Sequence, residues 1–235
     1  MSYKQEVEST EEINEALVKA KDFWAKFSKP IIYVGSALIL GIGGWIAYKN
    51  YVKTPNEEKS ADLIFPAEQL FDKMTQQGFN KDTINLVLNG GANISTGVLK
   101  IANNYTGTAA GNRAQYMAGA CYLYNKDYNN AVKYLKKFST NATQVQTAAY
   151  MLLGDAYSEL KKNDDAFDNY KKAIGVNSKD EFMTPEALYK AALFADATGK
   201  SSEAIDFFKR IKEDYPKNNH VIDADKYLAR LGVTE

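Results

Sequence analysis

The sequence predicts an all-α protein in which a single N-terminal transmembrane helix precedes a solenoid of stacked helix pairs. Three observations predict it. Nineteen consecutive residues, 30–48, carry no charged side chain. In YMLLGDAYSELKKNDDAFDNYKKA, residues 150–173, apolar and small residues recur at helical steps on both sides of a polar break. The same pattern returns 35 residues upstream and 38 downstream, a period at which single helical hairpins stack to bury a common core.

The first element is a tail, residues 1–29, expected in the cytoplasm. Ile13, Leu17, Ala20 and Trp24 recur at helical spacing, so residues 8–28 read as a short amphipathic helix lying on the membrane or on a partner. A transmembrane helix follows at 30–51, since about 20 residues of helix cross a bilayer's hydrocarbon core. Tyr33, Trp45, Tyr48 and Tyr51 fall where interfacial rings belong. The tail is too long and too acidic for the leader of a cleaved signal peptide. Five lysines precede the span and three follow it closely, which places the N-terminus inside and the rest of the chain outside the cytoplasm. Ala37 and Gly41, and Gly43 and Ala47, are each four residues apart, a spacing that lets a second membrane helix approach closely.

The linker and a degenerate helical unit occupy 52–109, with helices expected at 57–77, 81–88 and 96–104 and a break at Asn89-Gly90-Gly91. Three repeats fill 110–217. In the central one, Tyr150, Leu153, Gly154 and Tyr157 share one helix face, and Ala166, Tyr170 and Ala173 share a face of the next. Gly154 is expected to admit a ring from the second helix. Gly119, Tyr122, Ala131, Leu135 and Phe138 reproduce these intervals upstream; Leu188, Ala191, Ala192, Ala204, Phe208 and Ile211 reproduce them downstream, with Pro216 closing the repeat. This spacing resembles the tetratricopeptide repeat. Residues 218–235 hold a C-terminal capping helix, with Val221, Ala224, Tyr227, Leu228 and Leu231 at helical steps.

Composition narrows the chemistry. Lys plus Arg and Asp plus Glu number 29 each, so charge gives no sign of a nucleic-acid partner. Cys121, the single cysteine, excludes an internal disulfide and reads as a small core residue. One histidine, His220, expected to be exposed at a helix start, leaves no triad or zinc constellation. Asp164-Asp165 and Glu57-Glu58 read as solvated acids at helix starts, and Gly41-Ile42-Gly43-Gly44 lies inside the span and not in a phosphate loop. The expectation is a protein that is not an enzyme and has no cofactor or metal.

In a helix-pair solenoid the first helices line the concave surface. The expected peptide-binding groove takes Arg113, Tyr116, Ala120 and Tyr124 from the first repeat, Met151, Asp155 and Glu159 from the second, and Tyr189, Leu193 and Asp196 from the third. Aromatic and thioether groups beside a few charges suit a polypeptide. The alternative is that these side chains contact an internal helix or the N-terminal unit.

Tail, span, linker, then Gly111-Asn112-Arg113-Ala114, Gly119-x2-Tyr122, Gly154-Asp155-Ala156-Tyr157 and Ile211-Lys212-x2-Tyr215-Pro216 form a layout that resembles membrane-anchored tetratricopeptide proteins of Bacteroidetes, and YfgM-like ancillary subunits of the SecYEG translocon. The resemblance implies an inner-membrane anchor with the repeats in the periplasm, translocon subunits and a membrane-anchored chaperone or prolyl isomerase as partners, and exported polypeptides as clients. The sequence itself supports an anchored scaffold. It leaves open a scaffold for envelope biogenesis or division, and a regulator acting through its cytoplasmic tail.

Overall fold

The structure, a computed structural model, describes residues 3–91 and 93–233, with side chains described from Asn14 onward. Two compact units are present, Met1–Pro55 and Asn56–Glu235. In the first, α1 runs over Tyr3–Tyr48 and is followed by a five-residue π-helix, Lys49–Lys53. Tail and apolar run are therefore one helix rather than two elements meeting at residue 30. Pro30 lies within α1; a proline there removes one backbone bond, and the intact turns on both sides hold the helix together. Of the stripe expected in the tail, Ile13 has its side chain outside the described residues, whereas Leu17 and Trp24 are exposed. Lys19 pairs with Glu15 at 2.9 Å, one turn away. The helix is long and apolar enough to cross a membrane, and none of its apolar window is buried.

In the second unit the chain is helical almost throughout, and among its described residues no β-strand forms. α2 (Thr54–Gln77), α3 (Lys81–Asn89) and α4 (Val98–Asn104) form the N-terminal part, within two or three residues of the expected helices. α3 begins because the Asn80 side chain accepts a bond from the Thr83 amide at 2.9 Å. It stops at Gly90 and Gly91, whose φ angles of 84° and 132° suit glycine alone.

Three hairpins follow: α5 (Ala109–Tyr124) with α6 (Tyr128–Leu135), α7 (Thr143–Glu159) with α8 (Asn163–Gly175), and α9 (Met183–Ala197) with α10 (Ser201–Asp214). α11 (His220–Arg230) closes the C-terminal end. Each crossing is made by a small residue meeting a large one. A Cβ on Gly154 would come within 2.5 Å of the Tyr170 ring, and one on Gly119 within 2.4 Å of the Leu135 side chain. Ala192 and Phe208, both fully buried, hold these positions in the third hairpin. The turns between partners also repeat: Lys126, Lys161 and Gly199, at equivalent positions, have φ of 64°, 58° and 77°.

The core is formed by two clusters. One joins α2, α3, α4 and α5 through Ile64, Phe71, Val87, Ile101 and Met117; the other runs from Leu135 through Tyr170, Leu188 and Phe208 to Leu228. Tyr116 and Leu152 pack against both. Cys121 is wholly buried, and burial pushes its thiol up to about 12, which keeps it protonated and inert. Asp164 and Asp165 sit in the first turn of α8. Glu57 departs from its expected role as a solvated acid: it reaches across to accept the Ala109 amide of α5 at 2.9 Å. There it complements the positive end of that helix. Next to it the Ser60 hydroxyl donates to Thr108 at 3.1 Å, and Thr108 in turn caps the Gly111 amide.

Two substitutions test this packing by urea unfolding in detergent, followed by circular dichroism. Gly154→Ala forces a methyl into the Tyr170 ring and is expected to destabilise by about 1–3 kcal/mol. Lys161→Gly relieves a left-handed residue and is expected to stabilise by about 1 kcal/mol.

Candidate binding groove

The inner helices α5, α7 and α9 present the side chains expected to line the groove, but the two ends of that surface are already occupied from within the unit. At the first repeat the occupant is α2. Arg113, exposed, forms an ion pair with Glu68 of α2. The half-buried Tyr116 meets Phe71 edge-on at 6.3 Å and tilts against Phe138 at 5.2 Å, and burial raises its hydroxyl above the usual phenol range. Ala120 is buried. Tyr124 stays exposed and stacks on Phe79, which follows α2, with ring centroids 3.9 Å apart.

At the third repeat the occupant is α11. Tyr189 stacks on His220 at 4.2 Å and meets Tyr227 at 6.2 Å. Asp196 forms an ion pair with Arg230, and Leu193 packs against the C-terminal core. His220 begins α11 as expected but is not exposed: its side chain retains 24% accessibility, and Nε2 lies 2.7 Å from Glu186. The ring has an apolar face to bury against Tyr189 and a polar edge to pair, so solvent is the poorer partner.

The central repeat is less covered. Met151 is buried and forms a floor. Asp155 accepts the Tyr170 hydroxyl at 2.7 Å and the Lys190 ammonium at 3.0 Å, which ties α7 to α8 and α9. Burial, and then the facing Asp155 carboxylate, raises the Tyr170 hydroxyl far above the usual phenol range. Glu159 is exposed, beside Tyr128.

Between the central repeat and α2 a recess of ≈ 220 Å³ remains. Tyr116, Ala120, Tyr124, Met151 and Asp155, five of the ten expected groove residues, line it together with Phe71, Thr75, Phe79, Ala148, Leu152 and Lys190. Arg113, Tyr189, Leu193 and Asp196 lie at the covered ends, and Glu159 lines a neighbouring cleft with Tyr128. Contact with the N-terminal unit, the alternative that the sequence left open, is what α2 makes here, but sequence reasoning named neither Phe71 nor Phe79, which belong to no repeat. It missed Lys190 because its one signal is register: it lies on the inner helix one residue after Tyr189. Among the described residues no three His, Cys, Asp or Glu side chains converge as a metal site requires. In the apolar run, Ala37, Gly41, Gly43 and Ala47 lie on the exposed surface of α1.

Residues 21–168 match the model of a family described as a tetratricopeptide repeat-like domain, and residues 186–218 match a tetratricopeptide repeat model. The first match begins upstream of the apolar run and contains all of it. No curated protein matches the chain.

The Tyr170 proton makes a pH-dependent contribution. Its folded pKa lies above the unfolded phenol value of about 10, so its contribution is complete below pH 10 and is lost as pH rises beyond it. The unfolding midpoint is therefore expected to fall above pH ~10. Tyr170→Phe should flatten part of that slope, as read by unfolding across an alkaline series.

Proposed function

Because the chain belongs to the tetratricopeptide repeat-like family, which makes it a protein–protein interaction scaffold, we propose that it is a membrane-anchored one that holds extended polypeptide in the recess between α2 and the central repeat. The observation that supports this most is the recess itself. A stacked Phe79–Tyr124 pair forms its lip, Met151 and Leu152 its floor, and the Asp155–Lys190 pair one side. Rigid rings and an adaptable thioether take varied side chains of an unfolded chain with little ordering cost. The lining charges already neutralise one another, which favours apolar segments over ionic ones.

The anchor is the helix over 30–51. Its side chains are apolar on every face and unburied, as in Ile32, Leu40 and Trp45 at 56%, 75% and 60% exposure, and such a surface calls for lipid rather than water. The lysine bias puts residues 1–29 in the cytoplasm and the repeats in the periplasm. Ala37, Gly41, Gly43 and Ala47 then form the face on which a second membrane helix packs. The working organisation is a tail to 29, a span to 51, a linker and degenerate unit to 109, repeats to 217 and the cap beyond. With that layout the partners are translocon subunits and a membrane-anchored chaperone or prolyl isomerase, and the clients are polypeptides emerging from the export channel.

A photoreactive residue in place of Thr75, at the rim of the recess, tests this in native membranes, with Ser202 as the control. The expected result is adducts with export-channel subunits or newly exported chains from Thr75 only. Ala148→Trp, which fills the recess, should reduce them roughly tenfold, the equivalent of ~1.4 kcal/mol of binding. Equal adducts from both positions would remove the recess from the function.

A further inference from the structure

The recess continues into a second space along the same helix. A cleft of ≈ 380 Å³ adjoins it, and Tyr124 and Asp155 line both. From α7 the recess takes Ala148, Met151, Leu152 and Asp155, and the cleft takes Asp155, Ser158 and Glu159. These positions advance by three and four, so they form one stripe along a single helix face. From Ala148 to Glu159 the stripe is about 16 Å long, the reach of about five residues of extended chain.

The chemistry changes along the stripe. The recess half is mainly apolar, and its ion pair is closed, Asp155 with Lys190 at 3.0 Å. The cleft half ends on Glu159, the exposed last residue of α7. A carboxylate there stands at the negative end of the helix dipole, and the last turn of α7 holds no basic residue to offset it. Tyr128 lies beside it, and Tyr124 carries a ring that is 53% exposed where cleft and recess meet. Ring faces attract a cation through their quadrupoles, and the acid attracts it through its charge.

Three lysines lie near. Lys126 lines the cleft, but it is exposed and, among the described residues, pairs with neither carboxylate. Lys161 and Lys162, which follow α7, are exposed and line neither space, so solvent and salt screen them.

We infer that the cleft takes a basic side chain, so that the groove selects an extended segment in which lysine or arginine stands two residues from an apolar residue. The inference rests on the recess reading proposed above. The middles of the two stretches of α7 lie about 8 Å apart, and alternate side chains of an extended chain, which share one side, lie about 7 Å apart. The apolar side chain enters the recess and the backbone passes Tyr124 and Asp155. The basic side chain then lays its methylene stem along the rings and its head against Glu159.

The test measures the fluorescence anisotropy of labelled Gly-Ser peptides with the full chain in a nonionic detergent. Each peptide has a central Phe with Arg, Gln or Glu two residues away on both sides, which serves either chain direction. The Arg peptide is expected to bind roughly fivefold tighter than the Gln peptide, and the Glu peptide weakest. Moving the Arg residues next to the Phe should remove the advantage, since adjacent side chains of an extended chain point to opposite sides. Glu159→Gln should erase the difference between the Arg and Gln peptides, and Glu159→Lys should turn the preference toward Glu; the side chain is exposed, so neither change enters the core. Equal affinity for all three peptides, a preference for Glu, or an Arg preference that survives Glu159→Gln overturns the inference. If binding is nevertheless lost when Ala replaces the peptide's Phe, the recess reading stands. Binding indifferent to that replacement overturns both.

Discussion

Two antiparallel helices pack at a fixed distance only if one lacks a side chain where the other carries a large one, and this constraint sets the geometry of the whole solenoid. Gly154 opposite Tyr170 and Gly119 opposite Leu135 leave no room even for a methyl group. Ala192 and Phe208 hold the equivalent positions in the third hairpin. Because the hairpins are built alike, they stack alike, and each large residue buried at a crossing contributes about 1.5–3 kcal/mol of transfer free energy. The inner helices consequently align, and the side chains one turn from each crossing form a continuous concave face. The Asp155 carboxylate, on the same helix turn as Gly154, bonds the hydroxyl of the ring that Gly154 admits. Packing and groove chemistry are coupled through one tyrosine.

Stacking solves the packing of inner repeats and leaves the outermost faces without partners. α2 and α11 solve that, and both do so by lying against inner helices. α2 contributes Glu68 and Phe71, with Phe79 just beyond its end; α11 contributes His220, Tyr227 and Arg230. The helices that complete the core therefore shorten the groove, and the recess survives only where neither one reaches. A closing helix that buried the same area against outer helices would have left the concave face open along its full length.

The hairpins were legible in the sequence because their cause is local: small and large residues at steps of three and four, repeated at a near-constant period, determine helix, face and partner together. Helix limits in the N-terminal part were nearly as clear, since Asn80, Gly90 and Gly91 act on the chain within a few residues of themselves. The lining of the recess was legible by half. Inner-helix register identified Tyr116, Ala120, Tyr124, Met151 and Asp155, but their surroundings depend on contacts spanning long stretches of chain. Glu57 bonds Ala109, 52 residues away, and Arg113 meets Glu68 at a separation of 45. No periodicity records such pairings, because each occurs once. Nor did Pro30 interrupt the helix as its usual effect in water suggests, since the backbone bonds on either side of it carry the turn.

Charge is allotted differently to the two faces. On the inner helices the charged groups are committed within the unit: Asp155 to Lys190 and Tyr170, Asp196 to Arg230, Arg113 to Glu68. A partly buried ion has to find such partners, since its desolvation is not otherwise offset. What the recess presents is thus mainly shape and apolar surface. On the outer helices most cations face solvent, where a single charge contributes little to stability. Replacing one of these exposed cations therefore leaves the packing of the inner helices untouched, whereas Asp155, which joins α7 to α8 and α9, cannot be changed without loosening the crossing it serves.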